Sequence, residues 1–468
     1  MTLSVELSEE IISKVEKSRV LYNERKFNEG LDLLTACVHL KPDDALLLFE
    51  QACFLYQLGQ FDQSIKALER SINITPNSRN HSFLGSILAD LGKPSEAAFH
   101  YLQAFKFNPS NTYCAYAMAY NGDYDVNGEE YQIIHAALQR NAQQPIDYAR
   151  LNMALGKIHL KNKDVPGALS FFHTGKKISE NFSNYDLSAD TLRTQKIISA
   201  FKALEYEEMP TSTASNNSTR VALIFGLPRS GTTLLETMLN SHADIQGIGE
   251  SKLLSSSLEH LAHQFNEEMF QIEHLTKCTA QDWKNSGQQM IGQVNYYGKR
   301  WIVDKQLFNY VWLGCAQKLN PDSVFIDIRR NPADIFISCY GMLFGVWPNY
   351  THSVDSFIAA YNNYHLLVTE WKKLFPQNIV TIYYEQLVEK PYENLVKILD
   401  KLELPFEEEC LDFYKTEAPI FTPSQQQVRK PLYKSSIGSW SRFENHFPEA
   451  AEKLSPLINR YLDELQSN

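Results

Sequence analysis

The chain has 468 residues, of which 44% are hydrophobic and 21% charged, the proportions of an ordinary globular protein. Its formal net charge of −11 argues against an extended nucleic-acid-binding surface, so we expect no nucleic-acid partner. This length predicts two to three domains, each with a core of its own. A site for anions in so acidic a chain has to be a local basic pocket.

The cysteines and the apolar segments indicate the cellular compartment in which we expect the protein. The seven cysteines are scattered and form no C-x-x-C pair, which favours buried thiols in a reducing environment over disulfides or a zinc site. Residues 1–20 carry acidic side chains every few positions, unlike a signal peptide. No window approaches 18 uninterrupted apolar residues. The sequence therefore predicts a cytoplasmic protein without a membrane contact.

The first two hundred residues repeat with a period close to 34. Pro42 and Pro76 lie 34 residues apart, and Pro109 follows 33 residues later. Within each unit two small residues lie 12 positions apart. These pairs are Ser18/Gly30, Ala52/Ser64, Gly85/Ala97 and, more weakly, Gly156/Ala168. Small residues at this spacing let the two helices of a hairpin approach closely, and the proline ends the second helix. The pattern resembles the tetratricopeptide repeat.

Three such units lie between Ile11 and Pro109, and a fourth, degenerate one covers residues 150–182. The resemblance implies a concave surface that binds a peptide or protein; packing against the second domain as mere support is the alternative. A small-polar stretch then predicts a linker at 207–219. The expected domains are a helical repeat domain at 1–206 and an α/β domain at 220–468.

The segment at the start of the second domain predicts a phosphate-binding loop. Val221–Phe225 is an apolar run of strand type, and helical spacing returns from Thr232 onward. A loop between a strand and a helix N-terminus binds oxyanions through free backbone N–H groups and the helix dipole. The candidate anion-binding residues of this loop are Arg229, Ser230, Gly231, Thr232 and Thr233.

A nucleoside-triphosphate P-loop is the competing interpretation of this segment. Gly226 and Gly231 have the P-loop spacing, but Thr232 occupies the position of the P-loop lysine. The cation lies inside the loop instead, at Arg229. Since phosphoryl transfer from a nucleoside triphosphate depends on that lysine and on Mg²⁺, the loop favours a terminal 5′-phosphate over a γ-phosphate. A kinase or NTPase stays open as an alternative, with Asp327 as its candidate Walker B acid.

A second anion-binding element follows the strand predicted at 323–328. Arg330 and Ser338 lie eight residues apart in Arg-Asn-Pro-Ala-Asp-Ile-Phe-Ile-Ser, so a guanidinium at a strand end and a helix hydroxyl can converge on one anion. Further strands are expected at 301–303 and 379–384, with a helix within 387–402. This alternation of strands and helices predicts a mainly parallel sheet with ligands beyond the carboxyl ends of its strands.

Together the two elements resemble the 5′-phosphosulfate loop and the 3′-phosphate motif of sulfotransferases, in the same order. The resemblance extends over residues 219–447 and is strongest to tyrosylprotein sulfotransferases. It implies 3′-phosphoadenosine 5′-phosphosulfate (PAPS) as the donor substrate, and no metal. It also implies Glu250 as the general base and Lys305 as the donor-side cation. Nucleotide-binding positions implied by the family segments are Tyr384, Ser424, Arg429 and Lys430.

The whole chain resembles a bacterial tetratricopeptide-repeat sulfotransferase: a helical repeat array followed by a P-loop-like α/β sulfotransferase domain. Animal tyrosylprotein enzymes are membrane proteins of the secretory pathway, whereas this sequence predicts no anchor. The acceptor stays open between a protein or peptide tyrosine, a carbohydrate and a small phenol, and the repeats favour a protein recruited by them. A homodimer, a repeat-based adaptor with an inactive second domain, and His352 or His365 as the base also stay open.

Overall fold

A computed structural model of the chain describes residues 9–182, 185–203, 219–344, 349–415 and 429–467. It divides into two compact units, with the division between Gly175 and Lys176. In the described residues no helix has both the length and the apolar character needed to cross a bilayer.

The first unit is built from helical hairpins. Its described helices are α1 (Glu9–Asn23), α2 (Phe27–Leu40), α3 (Ala45–Gln57), α4 (Phe61–Ile74), α5 (Ser78–Asp90), α6 (Pro94–Phe107), α7 (Thr112–Asn121), α8 (Glu129–Arg140), α9 (Pro145–Lys161) and α10 (Val165–Glu180), which continues past the division. Helix α10 tolerates Pro166 because a proline in the first helical turn removes an N–H that has no intrahelical partner.

The small residues of the repeat lie where two helices meet. A Cβ on Gly30 would lie 2.2 Å from the Phe54 ring, and one on Gly156 would lie 2.6 Å from Phe172. The Ser64 hydroxyl donates to the Ala52 carbonyl at 2.7 Å, so this pair joins α3 to α4. A continuous core of buried alanine, leucine and aromatic side chains runs from α3 to α9. The predicted repeat array is confirmed. Its small residues are explained by the close approach of the two helices in each hairpin.

The second unit is an α/β domain. Its described helices after α10 are α11 (Leu187–Ala203), α12 (Thr232–Asn240), α13 (Leu253–His263), α14 (Ala280–Gly292), α15 (Leu313–Leu319), α16 (Pro332–Tyr340), α17 (Val354–Leu374), α18 (Tyr384–Glu389), α19 (Pro391–Lys401) and α20 (Pro448–Gln466). Its described strands are β1 (Arg220–Phe225), β2 (Ile245–Gly247), β3 (Trp301–Lys305), β4 (Val324–Arg329) and β5 (Ile379–Tyr383).

Within the described residues the sheet has five parallel strands in the order β2-β3-β1-β4-β5. The three central strands are almost wholly buried, as in parallel sheets that have helices on both faces. Ile224 of β1 is in register with Lys305, and Phe225 with Asp327. The ends of β1, β3 and β4 therefore meet at one edge of the sheet, which confirms the predicted fold class.

Helix α11 belongs to the second unit, although the sequence places it in the repeat domain at 1–206. Its Phe201 ring lies 4.9 Å from the Trp371 ring of α17 in an edge-on contact, and both side chains are fully buried. The predicted linker lies almost entirely outside the described residues. The domain limits proposed from the sequence stay a prediction.

Candidate active site

The predicted phosphate loop connects β1 to α12 at the centre of the sheet edge. Gly231 adopts a φ of +105°, and a Cβ there would lie 2.4 Å from the Tyr384 ring. Only glycine fits both the backbone conformation and this close approach. Arg229 also has a positive φ, of +69°, so the loop is tightly wound on both sides of Ser230. No side chain caps the N-terminus of α12 in the described structure, and a helix N-terminus favours an oxyanion.

Two buried polar atoms of the described site lack a hydrogen-bond partner. Ser230 is 1% exposed, and its hydroxyl makes no hydrogen bond; Nε of the buried Arg330 is likewise unpaired. Buried polar groups are normally satisfied, so such groups need a partner that binds there. A hydroxyl and a guanidinium beside a helix N-terminus are donors that fit a phosphate or sulfate. The residues present therefore fit a phosphorylated nucleotide.

The second predicted anion element contacts the first directly. Nε of Arg229 donates to the Ser338 hydroxyl at 2.9 Å, and Arg330 donates to the Arg229 carbonyl at 2.9 Å. The Arg330 guanidinium also lies 4.7 Å from the centre of the Tyr384 ring, a cation–π distance. Burial lowers the pKa of Arg229, since the charged guanidinium is removed from water. These contacts concentrate positive charge at the mouth of the loop.

Local sequence explains why Arg330 has a fixed position. Asn331 caps α16 by accepting the Ala333 N–H at 2.9 Å, and Pro332 occupies the first helical position, where its missing N–H has no consequence. The cap turns the chain sharply after β4 and holds Arg330 at the strand end.

The motif also contains a carboxylate that the sequence analysis did not assign. Asp334 is 1% exposed and accepts backbone N–H bonds from Gly438 and Trp440, both at 2.8 Å. Arg330 reaches the same segment through the Ser436 carbonyl, and the Tyr384 hydroxyl lies 2.6 Å from that of Ser436. Asp334 therefore attaches residues 438–440 to helix α16. The signal for this contact in the sequence was the spacing of four residues between Arg330 and Asp334, which places the carboxylate one helical turn from the guanidinium.

These elements line a pocket that opens to solvent, with about 460 Å³ of empty space when the open part is included. Its walls are Arg229, Gly231, Thr233, Leu234, Arg330, Tyr384, Val388, Phe413, Lys430, Leu432 and Tyr433. Six of the predicted cofactor-binding residues thus line one cavity, which combines cations with an aromatic and aliphatic wall. That combination suits a nucleotide, whose base is apolar on its faces and whose phosphates are anionic.

The remaining predicted binding residues lie around this cavity. Ser230 and Thr232 are buried in the loop behind it, and Ser338 reaches it through Arg229. Arg429 is half-buried beside the exposed Lys430, and burial lowers its pKa. Ser424 lies outside the described residues.

Glu250 and Lys305 form an ion pair at the end of β3, next to the loop. Nζ of Lys305 lies 2.8 Å from a Glu250 carboxylate oxygen. The Lys305 side chain is fully buried, whereas that of Glu250 is 42% exposed. The pair therefore presents a solvent-accessible carboxylate, with its cation inside the protein, beside the strand that leads into the loop.

A second carboxylate near this pair was missed from the sequence. One carboxylate oxygen of Glu236, on α12, lies 4.0 Å from Nζ of Lys305. The other accepts the Gly249 N–H at 2.7 Å. Burial raises the pKa of Glu236 to about 6. Nothing in the local sequence separates Glu236 from an ordinary helix acid, since its role depends on the distant residues 249 and 305.

The alternative candidates occupy other environments. Although burial alone would raise the pKa of Asp327, the nearby cations Arg329 and Lys372 lower it to about 2. The Asp327 carboxylate thus belongs to a buried ion-pair network, which does not favour a Walker B role in binding a metal-bound nucleotide. His365 is paired with Glu464 at 2.6 Å in the same region, and burial together with Lys176 lowers the pKa of His352 to about 4.

Comparison with known proteins identifies both parts of the chain. Residues 222–408 match the family model described as the Sulfotransferase family, and residues 45–78 match the Tetratricopeptide repeat. A protein of Aquifex aeolicus (strain VF5), described as uncharacterized, is 27% identical over 405 residues, which are 81% of this chain and 51% of that protein. The chain thus spans about half the length of that relative.

Two further proteins with a limited similarity to this chain have sulfotransferase in their names. A Caenorhabditis briggsae protein named "Putative protein-tyrosine sulfotransferase" is 24% identical over 231 residues, 48% of this chain and 80% of that protein. Among solved structures, the sulfotransferase domain from the curacin biosynthetic pathway is 20% identical with a TM-score of 0.33, over 50% of this chain and 99% of its own.

The second unit therefore contains a sulfotransferase-family domain. The chain as a whole combines this domain with preceding tetratricopeptide repeats, which confirms the predicted resemblance. A nucleotide kinase or NTPase is not favoured, and neither is an adaptor with an inactive second domain.

Proposed function

We propose that the protein transfers a sulfuryl group from PAPS to an acceptor hydroxyl. The observation that carries the proposal is the convergence of Arg229, Arg330 and Lys430 on one pocket, beside a Glu250–Lys305 pair. A donor with phosphates at its 5′ and 3′ positions needs two anion sites, and the chain supplies a loop site and a strand-end site. Loop residues 229–233 would hold the 5′-phosphate, and Arg330 with Ser338, Arg429 and Lys430 would hold the 3′-phosphate.

The proposed chemistry is an in-line displacement at sulfur. The bond from the acceptor oxygen to sulfur forms while the bond from sulfur to the 5′-phosphate oxygen breaks, and Glu250 takes the acceptor's proton. Lys305, as a compact cation, stabilises negative charge at the phosphate end. Because Lys305 is paired with Glu250 in this structure, the carboxylate becomes a free base once the lysine turns toward an anion. The bound donor supplies the sulfuryl group.

For the acceptor we propose a tyrosine of a protein or peptide. A phenol, with a pKa near 10, gives its proton to a carboxylate far more readily than an alcohol does. The relative named for protein-tyrosine sulfotransfer and the repeats of the first unit support this choice. A cytoplasmic location and a homodimer stay predictions. The scheme assigns no role to a metal ion, so transfer that EDTA abolishes would contradict it.

The donor assignment predicts a selective loss of affinity in Arg330→Lys. Lysine keeps the charge but loses the planar fork that chelates phosphate, so adenosine 3′,5′-bisphosphate (PAP) should bind about 10- to 100-fold more weakly. Adenosine 5′-phosphate, which lacks the 3′-phosphate, should bind both proteins equally. Isothermal calorimetry measures both affinities, with Lys434→Ala as a control, since the Lys434 side chain is 70% exposed.

Two outcomes would contradict the assignment. Equal PAP affinity in wild type and Arg330→Lys would remove Arg330 from the 3′-phosphate site. Tighter binding of ATP than of PAP by the wild type would overturn the sulfotransferase function itself.

A further inference from the structure

Glu236 lies behind the proposed catalytic pair and contacts both of its parts. It is on α12, one helical turn after the phosphate loop. One carboxylate oxygen accepts the N–H of Gly249, the residue directly before Glu250, at 2.7 Å. The other lies 4.0 Å from Nζ of Lys305. Glu236 therefore connects the loop-bearing helix to the base and to the cation.

The Gly249 contact adds a side-chain anchor to the turn that precedes Glu250. Gly249 has a φ of +66°, and no heavy atom lies within 4 Å of the position its Cβ would occupy. In the absence of side-chain packing at this residue, hydrogen bonds at its backbone set the direction in which Glu250 projects. The Gly249 carbonyl in turn accepts the Ser251 N–H at 2.9 Å and the Lys305 N–H at 3.0 Å. Glu236 thus anchors the turn at Gly249, and Asp304 anchors it one residue beyond Glu250, through hydrogen bonds from Ser251.

The charges around Lys305 are unequal in their exposure. Lys305 is fully buried, the Glu236 side chain is 12% exposed and that of Glu250 is 42% exposed. Two carboxylates share one ammonium, so each weakens the ion pair that Lys305 forms with the other. The further titratable group here is Asp304, and burial raises its pKa to about 7.

We propose that Glu236 is a positioning residue for sulfuryl transfer: it fixes the Gly249–Glu250 turn and shares the Lys305 charge, so that Glu250 is released as a base. This inference rests on the proposed function. With Glu236 neutral, Glu250 is the closest carboxylate to Lys305, their ion pair tightens, and the base is withdrawn. With Glu236 ionised, the lysine is compensated from inside the protein and Glu250 can accept a proton.

The pH dependence follows from the titration of Glu236. Because burial raises its pKa to about 6, Glu236 gains its proton as the pH falls through 6, and transfer by the wild type should decline there. Lys305, Glu250 and Asp304 face the same space. All three side chains remain in a Glu236→Gln variant, so a difference between the two profiles reports the loss of the Glu236 carboxylate, whose charge also contributes to the raised pKa of Asp304.

The test compares Glu236→Gln and Glu236→Leu with the wild type and with Glu259→Gln, which alters an exposed acid of α13. Glutamine keeps an oxygen for the Gly249 N–H but loses the charge; leucine loses both. We measure transfer from labelled PAPS to a tyrosine-containing acidic peptide from pH 5.5 to 8.5. PAP affinity and proton exchange are measured by calorimetry in two buffers.

We expect Glu236→Gln to lower kcat about 10-fold at pH 7.5, to lose the decline near pH 6 and to keep its PAP affinity within about 3-fold. Glu236→Leu should lower kcat further. At pH 6 the wild type should take up more protons on binding PAP than Glu236→Gln does, because a phosphate near Lys305 raises the pKa of Glu236.

The outcomes separate the two proposals. A wild type that binds no PAP contradicts the proposed function. A wild type that binds PAP and transfers sulfate, with a Glu236→Gln variant that matches it in kcat, pH profile and proton uptake, overturns the role of Glu236 alone. Glu236→Gln decides this even if Glu236→Leu fails to fold.

Discussion

Glu250→Gln is expected to lower the rate of sulfuryl transfer by about 10²- to 10⁴-fold, the usual contribution of a general base. Glutamine has nearly the same shape and can still accept a hydrogen bond from Nζ of Lys305, so the local structure should persist. It cannot take a proton from the acceptor. PAP affinity should stay within about 3-fold of the wild-type value, since Glu250 lies outside the nucleotide pocket.

A comparison of two acceptors provides a second, independent test of Glu250 as the general base. A tyrosine phenol keeps its proton at neutral pH, whereas 4-nitrophenol is largely ionised and needs little help from a base. The loss caused by Glu250→Gln should therefore be much smaller with 4-nitrophenol than with a tyrosine peptide. An equal loss with both acceptors would indicate that Glu250 orients the acceptor and does not remove its proton. Normal turnover in Glu250→Gln would remove Glu250 from the mechanism.

The structure of the two elements that we propose to bind anions could be predicted from sequence because its determinants are local. The loop needs a glycine with positive φ at position 231, and the strand end needs an Asn-Pro cap after Arg330. Both signals lie within ten residues of the side chains that they position. The repeat array could be predicted for a related reason, since its small residues recur at a fixed spacing.

Residues that act across the fold could not be predicted in this way. Glu236 gains its role from Gly249 and Lys305, which lie 13 and 69 positions further along the chain. Asp334 holds a segment more than a hundred residues away. Such partners become neighbours only through the sheet order, which a single sequence does not specify.

Short elements were missed. Strand β2 has three residues, Ile245–Gly247, too few for a visible pattern. Helix α18 has six residues and was missed as well, whereas the helix expected within 387–402 is α19, which begins at Pro391. Proline begins the second helix because it cannot donate the hydrogen bond that would continue the first.

Lys176→Met should make the protein more stable, although it removes a polar residue. Lys176 is fully buried, and its Nζ reaches the Thr351 hydroxyl at 3.4 Å and the rings of Tyr340 and Phe344 at about 6 Å. Among the described residues no carboxylate lies within ion-pair distance of it. Burial lowers the pKa of Lys176 to about 7, so the fold disfavours the charged form.

The direction of the pH dependence follows from this shift. Between pH 7 and 10.5 the unfolded chain keeps the lysine proton while the folded chain has lost it, so folded-state stability rises with pH in that window. Below pH 7 the folded protein bears the full penalty of the buried ammonium. Methionine fills a similar volume without a charge. At pH 6 the free energy of unfolding should rise by about 1–4 kcal/mol, and the gain should shrink toward zero at pH 10 and above.

Urea unfolding at pH 6, 8 and 10 measures this difference, with Lys177→Met as the matched control. Lys177 is the next residue of α10 and is exposed, so its replacement should change stability by less than about 0.5 kcal/mol at every pH. A Lys176→Met protein that is less stable than the wild type at pH 6 would show that the ammonium is compensated in the folded chain. A gain that does not depend on pH would instead assign the effect to packing of the methionine side chain, because this packing, unlike the charge of Lys176, does not change with pH.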